Sequence, residues 1–136
     1  MDVKVGGTLV ARVVEVSKCQ EGIKFFSNLE ELLQTGVMVR PAGYIVDLHS
    51  HKGGLHEVLY VIYGKVAVTL KKGRRKHRII LNIGDMIHLI EGIHGLEFLR
   101  DSKVLEVKQG PYDPNAKVFY KVGYYLDMGG DNAKGK

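Results

Sequence analysis

Nine short runs rich in β-branched and aromatic residues fill most of this 136-residue chain: "TLVARVVEV" (8–16), "GYIVDLHSH" (43–51), "EVLYVIYG" (57–64), "KVAVTL" (65–70), "RIILNI" (78–83), "DMIHLI" (85–90), "GLEFL" (95–99), "VLEVKQ" (104–109) and "VFYKVGYYL" (118–126). Glycine, Asn82, Asp85, Asp101 and Ser102 separate them at short intervals. Strands packed this closely leave no room for crossover helices, so the pattern predicts an antiparallel barrel or sandwich. One helix is expected against that background. In "SNLEELLQTG", Ser27 and Glu30 have capping-box spacing, Leu29, Leu32 and Leu33 share a helical face, and Gly36 supplies a stop.

Composition bounds the class. Apolar residues make up 45% and charged residues 26%, as in ordinary globular proteins. No apolar run approaches the roughly 20 residues that span a bilayer, so no membrane partner is expected. "MDVKVGGTLV" has no basic segment followed by an apolar one, which predicts no signal peptide. A single cysteine, Cys19, excludes an intramolecular disulfide and fits a reducing cytoplasm. The net charge of +5 is concentrated in "KKGRRKHR" (71–78). That run lies between two strand patterns and contains Gly73, which reads as a solvated hairpin turn. It has no interleaved aromatic residue on which bases could stack, so no nucleic-acid partner is expected.

The chemistry concentrates in "LHSHKGGLHEVLYVIYG" (48–64), where His49, His51, His56 and Glu57 fall within nine residues. Side chains alternate along a strand, so His49 and His51 project to one face, about 7 Å apart at roughly 3.4 Å per residue. Two imidazoles joined by a carboxylate can occupy one side of a metal ion and leave positions open for a substrate.

Gly43, five residues, His49-Ser50-His51, a short loop, Glu57, six residues and Gly64 resemble the first motif of the cupins. The loop "KGGLH" has five residues where the family has three or four. Counting forward from His51 across a four-residue loop lands on His56, whereas counting back from Gly64 lands on Glu57. The second count is preferred because Gly53-Gly54 can absorb an insertion. The second motif is weaker: Gly84 opens it, Ile90 stands at the proline position, Gly92 fits, and His94 comes one residue early. The resemblance covers about residues 37–109. It implies a six- to eight-strand all-β jelly-roll barrel, to which the segment 27–36 adds one short N-terminal helix, and it implies the metal ligands His49, His51, Glu57 and His94. On this reading residues 1–36 form an N-terminal strand and helix packed on the barrel, 37–126 the cupin barrel, and 127–136 a flexible tail, all in one domain.

"HGLEFL" and "EVKQGPYDP" carry a fainter similarity to small cupins associated with carbohydrate and surface-polysaccharide synthesis. Glu106 and Lys108 share one strand face, so both enter the barrel or both leave it. Inside, they would be candidates for proton transfer or for holding an anionic group. Arg40 and Tyr44 are candidates for the barrel mouth. The expected cofactor is one divalent ion, with Zn, Fe, Mn, Ni and Cu all compatible with imidazole ligands. The expected ligand is a small molecule, a sugar derivative first, and the favoured reaction an isomerisation or epimerisation. An Fe-dependent dioxygenase and a non-catalytic binding module are the alternatives. The strands at 8–16 and 118–126 exceed what the motifs need and predict a homodimer formed through strand edges.

Overall fold

The computed structural model describes residues 1–115 and 117–119. Its strands are β1 (Asp2–Val5), β2 (Thr8–Arg12), β3 (Gly22–Phe25), β4 (Leu33–Arg40), β5 (Ile45–His51), β6 (Glu57–Tyr63), β7 (Val66–Lys72), β8 (Arg75–Leu81), β9 (Met86–Leu89), β10 (Ile93–Phe98), β11 (Ser102–Gln109) and β12 (Lys117–Phe119). Residues 120–126 of the last expected strand and the expected tail at 127–136 lie outside the described residues.

The strands form two five-stranded sheets, in the orders β12-β5-β10-β7-β8 and β3-β4-β11-β6-β9, with antiparallel pairing throughout. β1 and β2 make a separate hairpin. This is the expected all-β jelly roll. Alternation delivers every second side chain to the space between the sheets. Leu59, Val61, Val66, Val68, Phe98 and Val104 are almost wholly removed from water there and anchor one end of the barrel. Burying a side chain of this kind is worth about 1.5–3 kcal/mol. The opposite end holds polar side chains and a cavity. The basic run folds as expected, with a tight turn at Gly73-Arg74 joining β7 to β8 and Lys72 paired with Arg75.

The helix expected over residues 27–36 does not form. Among the described residues the one helical turn is a 3-10 turn at Val16–Lys18. Residues 33–40 instead form β4, paired along its full length with β11 and also with β3. Leu29, Leu32 and Leu33 are exposed, so the supposed apolar helix face buries nothing. Ser27 does accept a backbone N–H, but from Thr35 across the β3–β4 connection, at 2.9 Å. Gly36 is a point of close approach rather than a stop: a Cβ there would lie 2.8 Å from the Phe25 ring. Local helix signals lost to eight residues of sheet pairing, as tertiary context routinely outweighs propensity.

β1 and β3 were not expected, and the expected strand 8–16 ends at Arg12. β1 and β3 have only four residues each and mostly exposed side chains, too little for periodicity to register. No helix among the described residues is long and apolar enough to cross a membrane.

Candidate metal centre

Three imidazoles meet at the polar end of the barrel. His49 and His51 share the inner face of β5, and β10 runs antiparallel beside it so that His94 stands directly opposite His49. One ligand nitrogen from each of the three lies within 4.8 Å of the others. Glu57, the first residue of β6, reaches in from the facing sheet. Its Oε2 is 3.2 Å from His51 Nε2 and 3.6 Å from His94 Nε2. All four residues expected as ligands are therefore brought to one point.

His94 reaches the cluster despite its shortened approach because the β5–β10 register shifts. His94 faces His49 but Leu96 faces Val46, so three residues of β5 are spanned against two of β10. Such a bulge re-aims side chains locally. The turn between His51 and β6 likewise absorbs its extra residue, with Gly53 and Gly54 at φ 81° and 67°, values that L side chains rarely adopt. Consequently Glu57 points inward and His56 outward. His56 Nδ1 lies 2.9 Å from His88 Nε2 on the outer surface, where neither approaches the cluster. His77 lies exposed on the basic hairpin.

The donor set fits a divalent ion. His51 Nε2, His94 Nε2 and Glu57 Oε2 are buried and have no hydrogen-bond partner. Buried polar atoms are normally satisfied, so three orphans converging on one point mark a place for a cation. The Nδ1–H of His49 donates to the Asp47 carbonyl at 2.8 Å, which fixes the tautomer with its lone pair on Nε2. Burial, reinforced by the neighbouring His94, pushes the His49 pKa down to about 3, so the ring stays in the neutral form that ligates. Burial alone would raise the Glu57 carboxyl, but the close approach of His51 and His94, with Glu106 beside them, outweighs it and holds the group well below the usual carboxylate range. Three imidazoles and one carboxylate suit a first-row divalent ion, and the His49, His51 and His94 site can hold one.

Glu106 and Lys108 both enter the barrel. On β11 they pair across to Leu59 and Glu57 of β6, and to Gly36 and Gln34 of β4. Glu106 is buried, with Oε2 unpartnered. Lys108 Nζ is 3.9 Å from Glu106 Oε1 and 4.8 Å from the centre of the Phe25 ring. Burial, followed by the negative charge of Glu57, pushes the Glu106 carboxyl up to about 8.

These residues and the imidazoles line a cavity of about 530 Å³. Arg40 and Tyr44 line it too, the guanidinium 4.1 Å from the Tyr44 ring centre. Two contributors were missed in the sequence. Gln34 lines the cavity, 2% exposed, with its amide donating to the Asn28 and Glu31 carbonyls. It was hidden by the helix expectation. Asp47 orients His49 through its backbone carbonyl, for which a side-chain pattern carries no signal.

No protein-family model and no curated protein sequence matches the chain. Solved structures do. Oxalate decarboxylase from Bacillus subtilis is 24% identical with a TM-score of 0.60, over 79% of this chain and 32% of that one. KdgF from Halomonas sp. is 23% identical with a TM-score of 0.53, over 68% of this chain and 80% of that one. The cupin domain of Schizosaccharomyces pombe Cnp3 is 14% identical with a TM-score of 0.57, over 75% and 70%. The chain spans about a third of the length of the oxalate decarboxylase it matches. Mn(II) centres have been characterised in the B. subtilis enzyme. At these identities the likeness is one of architecture. The two facing antiparallel sheets follow the overall path of these structures, which gives this chain the cupin fold.

Proposed function

We propose that the chain is a metal-dependent isomerase or epimerase acting on a sugar or sugar-derived substrate. The observation that carries this reading is the unpartnered Oε2 of Glu106, buried in the same cavity as the three imidazoles. His49, His51, His94 and Glu57 would hold the ion. A divalent ion there would polarise a substrate oxygen and stabilise negative charge developing on it. The chain's own part is proton handling. In its ionised form Glu106 Oε2 takes the proton from a carbon bearing oxygen and returns it on the same face to the neighbouring carbon, which is isomerisation; epimerisation requires in addition a second acid, on the opposite face of the same carbon. Lys108 steadies the charge on that carboxylate and donates to a substrate oxygen. A cavity of about 530 Å³ lies within the usual range for small-molecule sites.

The test is solvent deuterium exchange. Metal-loaded protein is incubated in D2O with a panel of aldoses, ketoses and their acid derivatives, and proton NMR follows loss of carbon-bound hydrogen. Exchange in wild type that disappears in Glu106→Gln, with the metal retained, supports the proposal. Oxygen uptake would replace it with the dioxygenase reading, and binding without exchange with the binding-module reading.

The chain is further proposed to pair with a second copy through the β1–β2 hairpin, which leaves Val5, Val10 and Val13 exposed. Light scattering giving the mass of a single chain at micromolar concentration would end that proposal.

A further inference from the structure

Arg40 closes the inner row of β4. Gln34, Gly36, Met38 and Arg40 alternate onto one face, and Gln34, Met38 and Arg40 all line the cavity. The other two cations of the lining are engaged within the protein. Lys108 sits beside Glu106, and Lys117 has interactions of its own. Arg40 differs. Among the described residues it makes no ion pair, and its Nε is buried without a hydrogen-bond partner.

A guanidinium N–H withdrawn from water and left unbonded is costly, and such groups are ordinarily matched by an acceptor. The stacking of the guanidinium on Tyr44, at 4.1 Å, holds its plane and leaves its edge available. That edge presents parallel N–H donors at the spacing of two carboxylate oxygens. Charge points the same way. Arg40, Lys108 and Lys117 line the cavity with four carboxyl residues, Asp47, Glu57, Glu106 and Asp113. With a divalent ion bound and every carboxyl ionised, the cavity has one positive charge in excess.

We infer that Arg40 is an anion-binding subsite at the mouth of the cavity, and that the substrate carries a carboxylate group which this guanidinium receives. The inference rests on the reading that the cavity takes a small-molecule substrate and names its class: a sugar acid rather than a neutral sugar. Arg40 is then a specificity-determining residue that orients the substrate, while Glu106 handles its proton.

The first experiment is independent of the sugar reading. Metal-loaded protein labelled with nitrogen-15 is titrated with sodium acetate, with sodium chloride as the ionic-strength control, and the Arg40 Nε–H resonance is assigned by its loss in Arg40→Lys. The subsite predicts a saturable shift and slowed solvent exchange of that proton with acetate and neither with chloride. An Nε–H unmoved by acetate would overturn the proposal. Inorganic phosphate forms a separate arm, and a saturable response to phosphate but none to acetate would overturn the carboxylate assignment. Calorimetry then compares glucuronate with glucose. Binding of glucuronate at least tenfold tighter than glucose, with the difference lost in Arg40→Gln at unchanged metal content, supports the sugar-acid class. Equal binding of the two would overturn that class. If acetate still moves the Arg40 Nε–H, the failure lies with the sugar reading and not with the subsite.

Discussion

His49 and His94 face each other across the β5–β10 pair with ring centres 4.4 Å apart, one imidazole tethered by the Asp47 carbonyl and the other with a buried, unbonded Nε2. Two imidazoles held this close, each with a ring nitrogen turned toward the same point, are what a shared ion would join. A bound ion stabilises the folded state in proportion to the logarithm of its concentration over Kd, about 2.7 kcal/mol at one hundred times Kd. Chelated wild type should therefore melt several degrees lower than protein supplied with zinc or manganese. The increment should vanish in His49→Ala and in His94→Ala, with elemental analysis falling from about one ion per chain to none. A metal-induced rise in Tm retained by both variants would place the ion elsewhere.

His56 and Glu57 are neighbours with opposite fates, because adjacent strand residues point to opposite faces. His56 meets His88 outside the barrel, while Glu57 reaches His51 and His94 inside. The double variant His56→Ala/His88→Ala should keep its full complement of metal and lose at most about 0.5 kcal/mol, the usual range for surface changes. Glu57→Gln should weaken metal binding by at least an order of magnitude. Metal content that falls in the first variant and not in the second would reverse the assignment of the carboxylate.

The imidazole cluster was legible because its signals are local. His49 and His51 are two residues apart on a strongly alternating strand, and Gly64 marks the end of the next one. The inward placement of Glu106 and Lys108 was legible only as a shared face. Which face it was depends on the pairing of β11 with both β4 and β6, a relationship between segments remote in sequence. The segment 27–36 misled for the same reason. Ser27, Glu30 and the leucines satisfy a helix template within ten residues, whereas what decides the outcome is pairing with residues 102–109. The Arg40 edge had a similar difficulty. Its position before Pro41 suggested a mouth, but its stacking on Tyr44 and its unbonded Nε are properties of the folded barrel.

Gly36 tests the corrected reading of that segment. Its hydrogen faces the Phe25 ring, and a Cβ would stand 2.8 Å from one ring carbon, 2.9 Å from the next and 3.1 Å from the Lys24 carbonyl oxygen. Phe25 lies on an edge strand and can swing outward, but the carbonyl cannot, and moving the ring would uncover the Lys108 ammonium beneath it. Gly36→Val should therefore cost about 1–3 kcal/mol, as overpacking does. The same substitution should cost less in a Phe25→Ala background, measured by urea denaturation. Had residues 27–36 been a helix ending at Gly36, the two positions would show no coupling.

The β1–β2 hairpin stands apart from both sheets, and Arg12 ties it to the body of the protein. Its guanidinium donates to both Glu31 carboxylate oxygens, at 2.9 and 3.1 Å, and its Nε–H donates to Asp2 at 2.9 Å. Hydrogen bonding to Arg12, with help from the Asn28 backbone, holds the Glu31 carboxyl below its ordinary range. A carboxyl whose pKa is lower folded than unfolded contributes stability above the unfolded value, and that contribution fades as pH falls through the folded one. The attachment should accordingly be complete at pH 7 and weaken as the solution is acidified below about pH 4. Because the pair is only half-buried, salt should weaken it at every pH. Hydrogen exchange should show faster opening of residues 2–12 in Arg12→Ala and Glu31→Gln at pH 7 and low salt, with the barrel strands unchanged. On acidification, wild type should converge on the variants. Hairpin protection that is identical in all three proteins at pH 7 would show that the hairpin is held by something other than this pair.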